Sequence, residues 1–191
     1  RQALGVFSRP KIAIAASGAA VSQAVMVLLM TPTALAMVGC GFAEGQAADV
    51  IKWHVIAMFA PGFFTGALIQ RFGVMPIITI GLAALGCSAL SAMAGLELWH
   101  FYVSLFLTGV GWNFGFTGST YLLQSALSAQ EKPLVQGAND TLLAVVSSLA
   151  SLISGGLYFG IGWAATAASV LPVIALAMGF IALRCRTIAA P

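Results

Sequence analysis

Charged residues are scarce in this chain of 191 residues, which contains eight Lys or Arg and five Asp or Glu. Charged side chains make up 7% of the sequence, whereas a typical soluble domain has about 25%. Hydrophobic residues make up 60%. This composition excludes an ordinary soluble globular domain and indicates a membrane protein.

Cysteine and histidine are also rare, with three and two residues. The sequence has no Cys-x-x-Cys pair and no cluster of His and Cys, so we predict no metal site and no cofactor. Cys40, Cys87 and Cys185 are predicted at the outer end, middle and inner end of the membrane, so we expect no disulfide. The pI near 9.0 comes from cations spread over several loops. This distribution is unlike a basic patch, and we predict no nucleic-acid partner.

Long apolar stretches fill most of the chain, and each is long enough to cross a bilayer, which takes about 20 residues. Lipid cannot satisfy open backbone N–H and C=O groups, and the stretches lack the alternation of barrel strands, so we assign helices. We therefore predict an all-α membrane protein with a single bundle over residues 1–191. Its six predicted spans are about 12–38, 48–70, 74–94, 98–127, 135–159 and 162–183.

The basic residues orient the predicted bundle, because all of them except Lys52 fall on one side of it. Loops rich in Lys and Arg stay in the cytoplasm. We therefore predict a multi-pass protein of the plasma or inner membrane with both termini cytoplasmic. The residues on that side are Arg1, Arg9, Lys11, Arg71, Lys132, Arg184 and Arg186.

The chain begins with Arg and enters its first apolar stretch almost at once. We interpret it as a fragment or as one half of a larger protein.

The span 98–127 presents two different faces. Gly111 and Gly115 form a Gly-x-x-x-Gly pair, which favours close packing on a neighbouring helix. A polar stripe lies about 200° away around the helix. We interpret this stripe either as the lining of a cavity or as a set of interhelix hydrogen bonds. Its members are Asn113, Thr117, Thr120 and Gln124.

The span 48–70 has the densest polar content. Asp49 and Lys52 are three residues apart and can pair on one helix face. His54 is an ionisable residue inside a span, which by default indicates function, and His titrates near neutral pH. The alternative is a neutral His54 that is hydrogen-bonded between helices. Pro61 removes a helical hydrogen bond and is predicted to bend this span.

The start of the span 135–159 carries Asn139 and Asp140. One interpretation is an interfacial Asp140 that stabilises the N-terminus of the helix. The other is a gate contact between Asp140 and a cytoplasmic cation such as Arg71.

The segment Gly66–Gly73 reads G-A-L-I-Q-R-F-G and lies in a predicted cytoplasmic turn. It resembles the G-x-L-x-D-R-x-G signature of the major facilitator superfamily, although Gln70 stands where the family has an acidic residue. Arg71 is predicted to pair with an acid or a helix C-terminus. Gly73 can adopt the positive φ that a tight turn needs.

The resemblance covers essentially the whole chain. Residues 53–66 look like the eighth helix of bacterial facilitators, residues 109–114 like the tenth, and residues 136–140 like the start of the eleventh. It implies helices seven to twelve, which form the C-terminal half of a secondary transporter and consist of two inverted three-helix repeats. The implied partners are the lipid bilayer, a missing N-terminal six-helix half and a small-molecule substrate, which is bound between the halves and moved by alternating access.

The same resemblance places the first, second, fourth and fifth helices of this half around the substrate cavity. Their side chains are mostly neutral and aromatic, which disfavours a highly charged substrate. The implied pathway residues are His54, Trp112, Asn113, Thr117, Thr120 and Gln124. The implied gating and turn residues are Gly66, Arg71, Gly73, Asn139 and Asp140.

The sequence has two alternative interpretations besides transport. A non-transporting structural or assembly subunit, or an inactive fragment, is compatible with the same composition. An intramembrane serine protease requires a nucleophile and a His within reach. Ser119 with His54 or His100 is the available combination, but Gly118-Ser119-Thr120 matches no nucleophile motif. We therefore predict that the protein is not an enzyme.

Overall fold

The computed structural model describes residues 2–189, with the side chains of residues 5–185, and this part of the chain is all-helical without strands. The first helix is short, and the last extends over 58 residues. The helices are α1 (Gln2–Phe7), α2 (Pro10–Gly39), α3 (Glu44–Phe59), α4 (Gly62–Phe72), α5 (Val74–Ala94), α6 (Leu98–Ser125) and α7 (Lys132–Ala189).

Three helices within residues 2–189, namely α2, α5 and α7, are long and apolar enough to cross a membrane. A fourth span results if α3 and α4, which meet at a 41° bend, are counted together. The 28-residue α6 is also long enough to cross a membrane, but it contains more polar side chains than those three helices contain in their most apolar parts. Gly162, with φ 81° and ψ 173°, interrupts α7, so two helical segments meet there.

Proline explains the bend between α3 and α4. Pro61 has no N–H to donate to the carbonyl of Ala57, and the regular helix stops at Phe59 and resumes at Gly62. The predicted bend at Pro61 is therefore confirmed.

The connection between α4 and α5 is shorter than the sequence suggested. Gly66 to Phe72 belong to α4, and only Gly73 lies outside the two helices. Gly73 has φ 87°, the positive value predicted for it. The facilitator-like segment is thus the last part of a helix followed by a one-residue corner, because glycine can reverse the chain direction where other residues are strained.

Helix α6 lies at the centre of the bundle and packs against α2, α3 and α5, while α7 packs against α2 and α5. The glycines of α6 permit close contact with the neighbouring helices. A Cβ on Gly111 would lie 2.8 Å from the carbonyl oxygen of Gly81 in α5. A Cβ on Gly81 would in turn collide with the backbone nitrogen of Gly115. The prediction that Gly111 and Gly115 pack on neighbouring helices is confirmed.

The contact between α2 and α6 is reciprocal. Gly18 of α2 faces the hydroxyl of Ser119 in α6, and Gly115 of α6 faces the hydroxyl of Ser22 in α2. A Cβ on either glycine would collide with the facing oxygen. Both hydroxyls are buried without a hydrogen-bond partner among the described residues. The pairing of 18 with 119 and of 22 with 115 shows that the two helices run antiparallel.

Candidate functional site

A hydrogen-bonded glutamine joins three helices in the middle of the bundle. The indole Nε1 of Trp112 in α6 donates to Oε1 of Gln23 in α2, at 2.8 Å. Nε2 of Gln23 donates to the hydroxyl of Ser147 in α7, also at 2.8 Å. Gln23 is half-buried. It is 13 positions from the start of α2, which is about 20 Å along the helix at 1.5 Å per residue.

The orientation of the Gln23 amide is determined by Trp112. An indole N–H can only donate, so the oxygen of Gln23 must face it and the nitrogen must face Ser147. A carboxamide oxygen has two lone pairs and its nitrogen has two hydrogens, and each atom uses one in these bonds. Gln23 therefore retains one acceptor position and one donor position.

Aromatic rings adjoin this amide. Trp112 stacks on Phe116, one turn further along α6, with ring centroids 4.8 Å apart and an interplanar angle of 16°. Phe59, at the end of α3, meets Trp112 edge to face at 6.2 Å and 72°. The ring of Phe59 is 62% exposed. We call Gln23, Phe59, Trp112, Phe116 and Ser147 the Gln23 cluster; it combines flat apolar surface with an oriented amide.

Of the Gln23 cluster, sequence reasoning found Trp112 and missed the other members. The predicted pathway residues all lie in the spans 48–70 and 98–127, whereas Gln23 lies in the span 12–38. An amide near the centre of the apolar stretch 12–38 was nevertheless a usable signal, because a polar group in a span needs a partner.

Asn113 does not belong to the Gln23 cluster, although it is adjacent to Trp112. It is 4% exposed and faces the bend between α3 and α4. Its Nδ2 donates to the carbonyl of Met58 at 2.7 Å, and its Oδ1 accepts from the hydroxyl of Thr65 at 2.7 Å. These are interhelix hydrogen bonds, the second of the two interpretations of the polar stripe.

The rest of the polar stripe is spread along α6. Thr117 and Thr120 are half-buried. Nε2 of Gln124 donates to Oε1 of Gln136 at 2.9 Å and so links α6 to α7. The structure does not bring the four stripe residues together at one point, and a role in the pathway stays a prediction for them.

His54 is fully buried where α3 packs against α6. Its Nδ1 lies 2.8 Å from the carbonyl oxygen of Leu105, and its Nε2 has no hydrogen-bond partner among the described residues. This geometry corresponds to a histidine held between two helices. Participation of His54 in substrate or proton handling stays a prediction.

At the far end of α3, Asp49 forms an ion pair with Lys52, as the spacing predicted. The hydroxyl of Tyr102 in α6 donates to Oδ2 of the same carboxylate at 2.6 Å. Lys52 is thus engaged away from His54.

Comparison with known proteins indicates the family. The chain is 38% identical over 173 residues to the riboflavin transporter RfnT of Brucella anthropi. The aligned segment covers 91% of this chain and 44% of the relative. Two uncharacterized MFS-type transporters of Bacillus subtilis, YdeG and YddS, are 31% and 32% identical over 78% and 70% of this chain, and over 35% and 31% of their own lengths. The chain belongs to the major facilitator superfamily.

The chain thus spans less than half the length of these facilitator relatives. No protein-family model and no solved structure matches it significantly.

The predicted facilitator gate contact is not formed in this structure. Arg71 lies in the last turn of α4, where a cation is favoured by the helix dipole, with its guanidinium 5.2 Å from the ring of Phe72. It forms no ion pair with Asp140, which is exposed. Because α7 begins at Lys132, Asp140 is in its third turn, beyond the reach of the helix dipole. Asn139 is 4% exposed, and Gly66 has open space around it.

A different ion pair is present at the predicted cytoplasmic end. Nη2 of Arg9, just before α2, lies 2.7 Å from Oε1 of Glu131, just before α7. Oε2 of Glu131 accepts from the backbone N–H and hydroxyl of Ser128. Arg9, and then the two Ser128 bonds, lower the pKa of Glu131 from 4.5 to about 2. This pair could not be predicted from local spacing, because its members are 122 residues apart.

We expect Arg9→Gln to destabilise the protein at neutral pH, because Glu131 loses its main partner. The pKa of Glu131 is lowered on folding, so the stabilisation is complete above pH 4.5 and is lost as the pH falls toward 2. The difference in thermal unfolding midpoint between wild type and variant should therefore narrow over this interval. Lys11→Gln removes a nearby exposed cation and is the control. A pH-independent difference would contradict this assignment.

The residues that a serine protease would require are far apart. The Ser119 hydroxyl lies against Gly18, whereas His54 contacts the carbonyl of Leu105. Leu105 and Ser119 are 14 positions apart in α6, or about 21 Å. Within residues 2–189, no group of three or more His, Cys, Asp or Glu could hold a metal ion.

Proposed function

We propose that this chain is the C-terminal six-helix half of a secondary transporter of the major facilitator type, which moves a small solute by alternating access. Six spans result if α2, α3 with α4, α5, α6 and the two segments of α7 on either side of Gly162 each cross the membrane. The relatives that match most of the chain are named as transporters and are more than twice as long as the matched part.

The proposed half consists of two inverted repeats, α2–α5 and α6–α7. The antiparallel contact between α2 and α6, the first helices of the two repeats, supports this arrangement. Both ends of the half are cytoplasmic in this proposal, because Lys and Arg collect on that side.

We propose the Gln23 cluster as the part of the substrate site that this half contributes. The observation that carries this assignment is the Gln23 amide, held in one orientation by Trp112 and Ser147 beside exposed aromatic surface. Flat rings stack on aromatic side chains, and the amide can exchange hydrogen bonds with the edge of such a ring. The cluster has no charged member, which favours a neutral, planar, heteroaromatic solute.

Riboflavin fits this description, since it has an uncharged flat ring system with an edge of hydrogen-bond donors and acceptors. The relative from Brucella anthropi is named as a riboflavin transporter. We therefore propose a solute of the riboflavin class for the protein that contains this chain.

The test is uptake of labelled riboflavin by the full-length transporter in proteoliposomes. We expect Gln23→Leu to reduce uptake about tenfold, because one neutral hydrogen-bonding group contributes about 1 kcal/mol and the Trp112 N–H also loses its acceptor. Gln130→Leu, which removes an exposed amide between α6 and α7, should leave uptake unchanged. Uptake by wild type no greater than by empty vesicles would reject the riboflavin class. Equal uptake by Gln23→Leu and wild type would reject the cluster as the site.

A further inference from the structure

The bend between α3 and α4 leaves backbone groups that need partners. Pro61 has no N–H and cannot donate a backbone hydrogen bond. Just after it, the Phe63 N–H donates to the Ala60 carbonyl three residues earlier, at 3.3 Å, instead of to a carbonyl four residues earlier. The hydrocarbon region contains no bulk water, and side chains of neighbouring helices can satisfy the backbone groups that a proline frees.

Asn113 forms hydrogen bonds on both sides of the bend, one of them to a backbone carbonyl. Its Nδ2 donates to the carbonyl of Met58, in α3 just before the bend, at 2.7 Å. Its Oδ1 accepts from Thr65, in the first turn of α4, at 2.7 Å. The Thr65 hydroxyl is also 2.7 Å from the Pro61 carbonyl. Thr65 is fully buried, so this network is closed to solvent.

Close packing brings the short Asn113 side chain within reach of the bend. Gly109, one turn earlier in α6, faces α3 so closely that a Cβ there would lie 2.6 Å from the His54 carbonyl oxygen and 3.0 Å from the Met58 nitrogen. At the bend itself, a Cβ on Gly62 would lie 3.5 Å from Nδ2 of Asn113. Glycine is therefore required at Gly109 for this geometry.

We propose that Asn113 is a positioning residue that pins the 41° bend between α3 and α4 and thereby holds Phe59 against Trp112. Phe59 is the last residue of α3 and directly follows Met58, whose carbonyl accepts from Asn113, so this bond helps to fix where the Phe59 ring lies. Trp112 is the neighbour of Asn113 in α6, so the pin and the aromatic surface share one rigid element. The bend and the Gln23 cluster are thus mechanically linked.

Hydrogen–deuterium exchange of the full-length protein tests directly whether Asn113 pins the bend, that is, whether its hydrogen bonds hold α3 and α4 in place. Interhelix hydrogen bonds in membranes contribute about 0.6 kcal/mol on average, or roughly threefold in an opening equilibrium. We therefore expect exchange in peptides covering residues 56–66 to be roughly tenfold faster in Asn113→Ala, which loses two bonds. Thr65→Val, which is close in shape and loses one bond to Asn113, should be roughly threefold faster.

Thr79→Val is the matched control. The Thr79 hydroxyl lies 3.0 Å from the Met75 carbonyl four residues earlier, just as the Thr65 hydroxyl lies near the Pro61 carbonyl, but Thr79 is on the exposed face of α5. This variant should leave exchange in residues 56–66 unchanged. Wild-type exchange in both Asn113→Ala and Thr65→Val would overturn the pin. Should Asn113→Ala fail to fold, the Thr65→Val result alone decides.

The link to the Gln23 cluster rests on the proposed function and has its own readout. Loosening the bend should raise the KM for riboflavin uptake more than it lowers the maximal rate, because the aromatic surface is no longer preorganised. An unchanged KM with faster exchange would retain the pin and overturn its link to the site. If the wild type transports no riboflavin, the proposed substrate fails and the exchange experiment still decides the pin.

Discussion

Gly81→Ala is expected to prevent the bundle from folding, whereas Gly86→Ala in the same helix is expected to be tolerated. A Cβ on Gly81 would collide with the backbone nitrogen of Gly115 and lie 2.8 Å from the Gly111 carbonyl oxygen. Backbone atoms cannot turn aside as a side chain can, so α5 and α6 must separate. Gly86 has nothing within 4 Å of an added Cβ.

The expected cost at Gly81 is at or above the upper end of the usual 1–3 kcal/mol for overpacking, because the whole interface must move. At Gly86, alanine should be neutral or should stabilise the helix by up to about 1 kcal/mol. The measurement is the yield of monodisperse full-length protein in mild detergent, followed by its thermal unfolding midpoint. Similar yields and midpoints for the two variants would show that α5 and α6 do not approach as described.

Trp112→Leu is expected to reduce uptake of riboflavin, the proposed substrate, about 100-fold in the full-length transporter. The substitution removes the stack on Phe116 and the edge-to-face contact with Phe59, and aromatic pairs contribute about 0.5–1.5 kcal/mol each. It also leaves the Gln23 oxygen without its indole donor, which costs about 1 kcal/mol more. Together these losses correspond to roughly two orders of magnitude.

Two further variants separate the contributions at Trp112. Trp112→Phe retains an aromatic ring but removes the N–H, so it should lose about tenfold rather than 100-fold. Trp99→Leu, at the other end of α6 with a ring 55% exposed, should transport at the wild-type rate once expression is matched. An equal loss for Trp112→Phe and Trp112→Leu would mean that the hydrogen bond alone matters. Wild-type uptake by Trp112→Leu would remove the ring from the site.

The helices were predictable because they follow from local physical chemistry. Apolar length locates α2 and α5, the missing N–H of Pro61 explains the bend, and the conformational freedom of Gly73 explains the corner. These effects act over a few residues. Their positions can therefore be read from the sequence without knowledge of what lies beside them.

The candidate site was less predictable, because it depends on which helix faces which. Helical spacing placed Asn113 on a polar stripe but could not show that the bend of α3 and α4 lies opposite it. The same limit applies to the pairing of Gln23 with Ser147 and of Arg9 with Glu131, where each partner is on a distant part of the chain. Trp112 was found through the resemblance of residues 109–114 to a facilitator helix, whereas no such resemblance pointed to Gln23.

The reciprocal contact between α2 and α6 has a consequence for energetics. Because Gly18 faces Ser119 and Gly115 faces Ser22, the contact is the same viewed from either end and has a local two-fold axis. Separating the two helices at one end or at the other therefore affects equivalent contacts. No hydrogen bond breaks there, because the two hydroxyls have no partner among the described residues. Such a pivot favours neither direction. Any preference between two tilted states must come from groups outside the axis, such as the ion pair of Arg9 with Glu131.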